Sequence, residues 1–152
     1  MVVAMQSLDN NALRKAMSAR GLKVTPQRMA IYGALLSAGG HPSAEEVFGA
    51  VRRVLPNVSF DTVYRALLSF TELGIISVHE AGGKKRFDPN LAGHHHLHCM
   101  RCNRITDFHS PELDSVKLPP QAGKGFQVLS MRMTVEGICS ACSAKNRGRN
   151  GR

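Results

Sequence analysis

The sequence predicts an α+β protein of two small domains, a helical first half closed by a β-hairpin and a cysteine-bearing α/β second half. Three observations point there. Four stretches carry apolar residues at helical spacing, two short extended runs flank "AGG", and two C-x-x-C motifs frame the chain beyond. At 152 residues, with 43% hydrophobic and only 5% aromatic content, the chain can build one ordinary core or two modest ones.

The first helix is expected in "DNNALRKAMSARG", with Leu13, Ala16 and Met17 on one face and Gly21 at its end. The second follows in "TPQRMAIYGALLSAGG", where Thr25 before Pro26 reads as an N-cap, Met29, Ile31, Leu35 and Leu36 are apolar, and Gly39 or Gly40 terminates. In "SAEEVFGAVRRVLP", Ser43 with Glu46 three residues on makes a capping box, and Val47, Phe48, Val51 and Leu55 form the buried face. The fourth helix, "SFDTVYRALLSFTELG", starts at Ser59, buries Val63, Leu67 and Phe70, and ends at Gly74. Its other face carries Thr62, Tyr64, Arg65 and Ser69.

"IISVHE" and "KKRFD" around the glycine turn then predict the hairpin. Helices followed by a basic hairpin make a winged helix-turn-helix, and side chains at the start of such a fourth helix can meet phosphates and base edges. Charge agrees: through Phe87 there are 11 Lys/Arg against 6 Asp/Glu, from Asp88 to Ala144 there are 5 against 5, and "KNRGRNGR" adds 4 against none. A basic first half suits a polyanion. A helical bundle with a solvated polar face is the plainer alternative. The expected boundaries are 1–86 for the winged helix and hinge, 87–145 for a metal-binding domain and 146–152 for a disordered basic tail. No charged segment leads into an apolar run at the N-terminus, and 18 consecutive apolar residues occur nowhere, so a cytoplasmic location is expected.

Cys99 and Cys102 form one C-x-x-C, Cys139 and Cys142 the other. Two such knuckles supply the closed four-sulfur shell of a structural zinc, whereas a thioredoxin-like redox pair would need a βαβ setting that neither motif has. Such a zinc staples a small domain. "HHHLHCMRC", residues 94–102, holds more ligands than one ion needs. If it is extended, His94 and His96 point one way and His95 and Cys99 the other. One strand therefore serves two sites. Asp88 and Asp107 flank the H-x-H pair, and imidazole with carboxylate suits iron, manganese or zinc. His79, His98 and His109 read as surface or packing residues, and Met100, Met131 and Met133 as core filler.

With "GLKVTPQR", "HPSAEEV", "TVYRAL", "RFD", "HHHLHCMRC", "ITDFHSPELD" and "CSAC" in order, the chain resembles the ferric uptake regulator (Fur) family from about Leu13 to Cys142. The resemblance implies a homodimer in which the N-terminal winged helix-turn-helix domain is followed by a small C-terminal α/β dimerisation domain, and a metal-dependent repressor of operator DNA. It adds His41 to the mixed site, and assigns DNA contacts to Lys23, Tyr64 and Arg65. Arg28, Ser59, Thr62, Lys84 and Lys85 complete the expected DNA-binding set.

Among family branches, the chain is most similar to the peroxide-sensing one (PerR), whose iron ligands map to His41, Asp88, His94, His96 and Asp107, where iron sensors typically place glutamate at the last position. That resemblance implies one structural Zn2+ and one regulatory Fe2+ or Mn2+ per chain, with hydrogen peroxide as signal and His41 or His94 as the oxidised residue. The family's second metal site falls on Gly93, His95, Asp114 and Met131, of which Gly93 and Met131 cannot replace imidazole. Pro119 and Pro120 predict a short dimerisation helix. Two other functions stay open: a sensor of iron, zinc or manganese without peroxide chemistry, and a metallohydrolase, against which the lack of H-E-x-x-H argues. No enzyme is expected.

Overall fold

The computed structural model describes residues 7–147. Two compact units divide between Ala92 and Gly93. The expected winged helix thus begins in residues 1–6, outside the described ones, and of the expected tail only 146 and 147 fall within them.

The first unit contains helices α1 (Asn10–Ala19), α2 (Pro26–Ala38), α3 (Ala44–Val51) and α4 (Phe60–Glu72), then strands β1 (Ser77–Ala81) and β2 (Lys84–Asp88). Each helix starts at a side-chain cap. Asp9, Thr25, Ser43 and Ser59 accept the backbone N–H of Ala12, Arg28, Glu46 and Thr62 respectively, contributing about 1 kcal/mol each. The Ser43 cap is the expected box, with Glu46 Oε2 accepting the Ser43 N–H at 2.7 Å. The helices bury Leu13, Met17, Ile31, Tyr32, Leu35, Val47, Val51, Val63, Leu67 and Phe70 with Phe87 of β2 in one core.

Helix α3 is shorter than its apolar spacing suggests. It ends at Val51, and Leu55 packs only partly buried beyond it, because Pro56 disfavours helical geometry in the residue before it. The hairpin closes on Gly82 and Gly83, with Ala81 opposite Lys84. Both glycines have positive φ, 61° and 71°, as a twist-matched two-residue turn requires. A bridge between Ser43 and Arg86 and a 2.9 Å bond from the Phe87 N–H to the Pro42 carbonyl tie the wing to the α2–α3 loop. That tie brings His41 beside the end of β2.

The second unit contains β3 (His95–Cys99), β4 (Ile105–Phe108), α5 (Pro111–Asp114), β5 (Thr134–Gly137) and α6 (Ser140–Arg147). The sheet order is β4-β3-β5, antiparallel between β3 and β4 and parallel between β3 and β5. Helix α5 has only four residues, in keeping with the prolines that follow. Helix α6 runs through Arg147, so the stretch expected to be tail begins as helix, and residues 148–152 lie outside the described ones.

Apolar burial is sparse in this unit. Among the described residues only Cys99 and Cys142 are buried apolar residues beyond Phe87, while Leu97, Met100, Phe126, Leu129, Met131, Val135 and Ile138 are exposed. Met100 and Met131 are therefore not core filler, and Met133 is half-buried. The physical reason is topology: three short strands and two short helices make no enclosed layer for them to fill.

Candidate metal sites and nucleic-acid face

The four cysteines converge. Their sulfurs all lie within 4.8 Å of one another. Cys99 ends β3, Cys102 lies on the β3–β4 turn, Cys139 follows β5 and Cys142 sits on α6. The turn closes because Asn103 adopts φ 57° and donates its N–H to the Cys99 carbonyl at 2.8 Å. Cys102 and Cys139 sulfurs stand 3.8 Å apart, and two sulfurs at Zn–S bond length and the tetrahedral angle would stand about 3.8 Å apart. The set fits zinc. All four are free thiols. The Cys139 N–H reaches Cys99 Sγ at 3.3 Å and, with the Cys102 and Arg101 N–H groups, pulls that thiol down to about 5. Cys142 is pushed up to about 12, chiefly by its hydrogen bond with Cys139 and then by burial. Cys99 thus ionises first.

In the first unit, His41 on the α2–α3 loop lies with Nε2 3.4 Å from Asp88 Oδ2. Asp88 is held for this role. Its Oδ1 accepts the Asn90 N–H at 2.8 Å, and Asn90 in turn accepts the Ala92 N–H, so Oδ2 is the oxygen turned to the imidazole. In the second unit, the register pairs His96 with Asp107. His94 and His96 Nε2 atoms are 3.0 Å apart, and lie 3.6 and 3.5 Å from Asp107 Oδ1. Donors bound to one ion at about 2.1 Å stand ~3.0 Å apart at right angles and ~3.4 Å apart at the tetrahedral angle. Each half-set matches that spacing, and histidine–carboxylate pairs at 3.4–3.6 Å exceed hydrogen-bond length. His41, Asp88, His94 and His96 are buried, as donors kept from water should be.

His95 behaves differently. Its Nδ1 accepts the Met133 N–H at 3.1 Å and its Nε2 stands 3.0 Å from Asp114 Oδ1. Both nitrogens are committed to hydrogen bonds, Gly93 has no side chain, and Met131 offers a soft thioether in place of an imidazole. The residues do not fit a third ion.

The expected DNA-binding side chains share the first unit. Ser59, Thr62, Tyr64 and Arg65 occupy the start of α4, where Ser59 Oγ and Thr62 Oγ1 bond each other at 2.8 Å. Tyr64 stacks on Phe60, and Lys85 Nζ lies 5.8 Å from the Tyr64 ring centre. Arg28 turns back to the Lys23 carbonyl at 2.6 Å, Lys84 reaches Glu45 at 3.7 Å, and Arg65 Nε meets Asp61 at 2.8 Å. Asp61 and Glu45 are partners of these cations that the sequence expectations do not include. The i, i+4 spacing was the available signal for Asp61. His79, expected as a surface or packing residue, is half-buried, with Nε2 3.7 Å from Asp88 Oδ2.

The sequence profile of the Ferric uptake regulator family matches residues 19–136. The chain is 37% identical over 149 residues to the Peroxide-responsive repressor PerR of Staphylococcus epidermidis, covering 93% of this chain and 97% of that one. Its structure resembles the Helicobacter pylori ferric uptake regulator, described with three functional metal-binding sites, at a TM-score of 0.72 and 27% identity over 91% of this chain and 97% of that one. It also resembles the ferric uptake regulator of Pseudomonas aeruginosa solved with manganese, at 0.69 and 30% over 88% and 98%.

Proposed function

The chain belongs to the ferric uptake regulator family, and from that premise we propose that it is a metal-dependent repressor, binding operator DNA as a homodimer and inactivated by hydrogen peroxide. The observation that carries this reading is the pair of half-sets, His41 with Asp88 and His94 with His96 and Asp107, each spaced for an ion and built of imidazole and carboxylate alone. As the family resemblance implies, these five residues would hold the regulatory ion, whose loss weakens the grip on operator DNA. The four-cysteine zinc stays in place throughout and keeps the second unit folded. The exposed Leu97, Val135 and Ile138 support association through that unit.

The chain's residues define the chemistry. Asp88 and Asp107, with the imidazoles of His41, His94 and His96, would be the residues that hold iron(II), a mixed nitrogen and oxygen set that suits it. Iron(II) held there would supply the chemistry that activates peroxide toward a ligand imidazole, which itself gives up the two electrons. Overall, the imidazole of His41 or His94 gains one oxygen atom and the other oxygen leaves as water. The oxidised ring is a weaker donor, so the half-set that carries it releases its grip. Lys23, Arg28, Lys84 and Lys85 supply phosphate contacts, and Ser59, Thr62, Tyr64 and Arg65 stand where base edges would be read.

Mass spectrometry of protein loaded with Fe(II) and treated with peroxide tests this. A gain of about 16 Da, one oxygen atom, confined to His41 or His94 is the expected result. Oxidation spread over methionines and cysteines would favour the second reading, a sensor of iron, zinc or manganese supply, which the likeness to two ferric uptake regulators also supports.

A further inference from the structure

We propose that Phe60 reads thymine in the operator, through contact between its exposed ring and the methyl group that thymine presents in the major groove. The inference rests on the reading of the first unit as a DNA-binding domain, and adds to it a residue that recognises a base by apolar contact.

The chain has six phenylalanines, two tyrosines and no tryptophan. Three of these rings, from Phe48, Phe60 and Tyr64, gather in one strip at the start of α4. Phe60 lies nearly parallel to Tyr64, with planes at 12° and centroids 6.0 Å apart, and edge-on to Phe48, with planes at 88° and centroids 5.6 Å apart. The first pair follows from helical spacing, since residues four apart share a face. Phe48 and Tyr64 both pack against the core of the unit, whereas Phe60 is 40% exposed. Its ring is thus held by two anchored neighbours and still presents apolar surface to the outside.

Both ends of the strip carry a cation. Arg52 Cζ lies 5.6 Å from the Phe48 ring centre and Lys85 Nζ lies 5.8 Å from that of Tyr64, and both side chains are exposed. Cations so placed suit the phosphates that flank a base step, while the hydrocarbon ring between them offers a phosphate nothing. What that ring gains by burial is contact with another apolar group. On a base-pair edge in the major groove that group is the thymine methyl, and phenylalanine is among the side chains that contact it.

Its place in the fold supports the same reading. Phe60 is the first residue of α4, directly after the Ser59 cap, and reading helices apply their N-terminal residues to base edges. Thr62 and Arg65 beside it carry hydrogen-bonding groups suited to polar edges. Among the described residues of this unit, the other exposed large apolar side chains are Val54 and Leu91, and neither lies on α4. An aromatic ring does not favour helix formation, so its presence at this exposed end answers no need of the helix itself.

The test uses the full chain loaded with zinc and Mn(II), and a duplex that it enriches from a random pool. Each thymine of that duplex is replaced in turn by deoxyuridine, which pairs identically and lacks only the methyl. For the wild type, one such replacement in each half-site should weaken binding about fourfold, the worth of one buried methyl group. Phe60→Ala should bind the thymine and deoxyuridine duplexes equally at that position, and Phe60→Leu should keep part of the preference. Irradiation of the wild-type complex with 5-bromodeoxyuridine at the same position should join the base to Phe60, as mass spectrometry of the digested complex would report. A wild type indifferent to every methyl, an undiminished preference in Phe60→Ala, or cross-linking to Tyr64 alone would overturn the proposal and leave DNA binding intact. If the wild type enriches no duplex, the DNA-binding reading falls and the proposal with it. If Phe60→Ala misfolds, as circular dichroism would show, Phe60→Leu and the cross-link decide.

Discussion

His95 Nε2 stands 3.0 Å from Asp114 Oδ1, joining β3 to the short helix α5, while its Nδ1 accepts the Met133 N–H ahead of β5. Three segments of the second unit are thereby pinned by one imidazole. The donor at Met133 fixes Nδ1 as acceptor, so the proton sits on Nε2 and points at the carboxylate.

This clip makes His95 structural. His95→Ala should leave two metal ions per chain yet lower stability by about 0.5–1.5 kcal/mol, the net worth of the hydrogen bonding lost at a half-buried N–H and an exposed carboxylate. Elemental analysis and urea titration check both halves. A lost ion would restore His95 to a ligand role.

Zinc uptake should release fewer than four protons per chain at neutral pH. The site has four sulfurs, but Cys99, held down to about 5, is already a thiolate there. Cys142, pushed up to about 12, still carries its proton and must lose it. The sign follows: apparent zinc affinity rises with pH across neutrality, because protons held by the raised group are displaced. Calorimetry in buffers of different ionisation enthalpy counts them, and a release of four contradicts the lowered Cys99.

Glu46 both caps α3 and pairs with Arg86 of the wing at 2.9 Å. Glu46→Ala should cost about 1–2 kcal/mol by losing cap and pair together, whereas Glu46→Gln should keep the cap and cost about 0.5 kcal/mol. Chemical denaturation of the two variants separates the contributions.

On DNA, Tyr64→Ala should weaken operator binding more than nonspecific binding, and Lys85→Ala should lower both and reduce the salt slope by about one. The two are not independent. Because Lys85 lies over the Tyr64 ring, the double variant should depart from additivity by about 0.5 kcal/mol. Strict additivity in binding titrations would show that the contact is empty on DNA.

Asp107→Glu should blunt the peroxide response while keeping metal-dependent operator binding, since the longer side chain must refit opposite His96 in a fixed register. Gel-shift titrations before and after peroxide report both properties.

Much was legible along the chain: the caps at Thr25, Ser43 and Ser59, the Gly82–Gly83 turn, the two knuckles and the alternation that sends His94 and His96 away from His95 and Cys99. These are local, set by residues within a few positions of one another, where backbone period and side-chain reach decide the outcome. What only the tertiary structure decided is which distant donors meet. His41 and His79 approach Asp88 because the Ser43–Arg86 bridge and the hairpin register draw a loop and two strands together, and Met100 and Met131 face outward because no layer covers them. Neither spacing nor residue type encodes that, since convergence depends on long-range backbone pairing and burial on which surfaces the chain has left to cover.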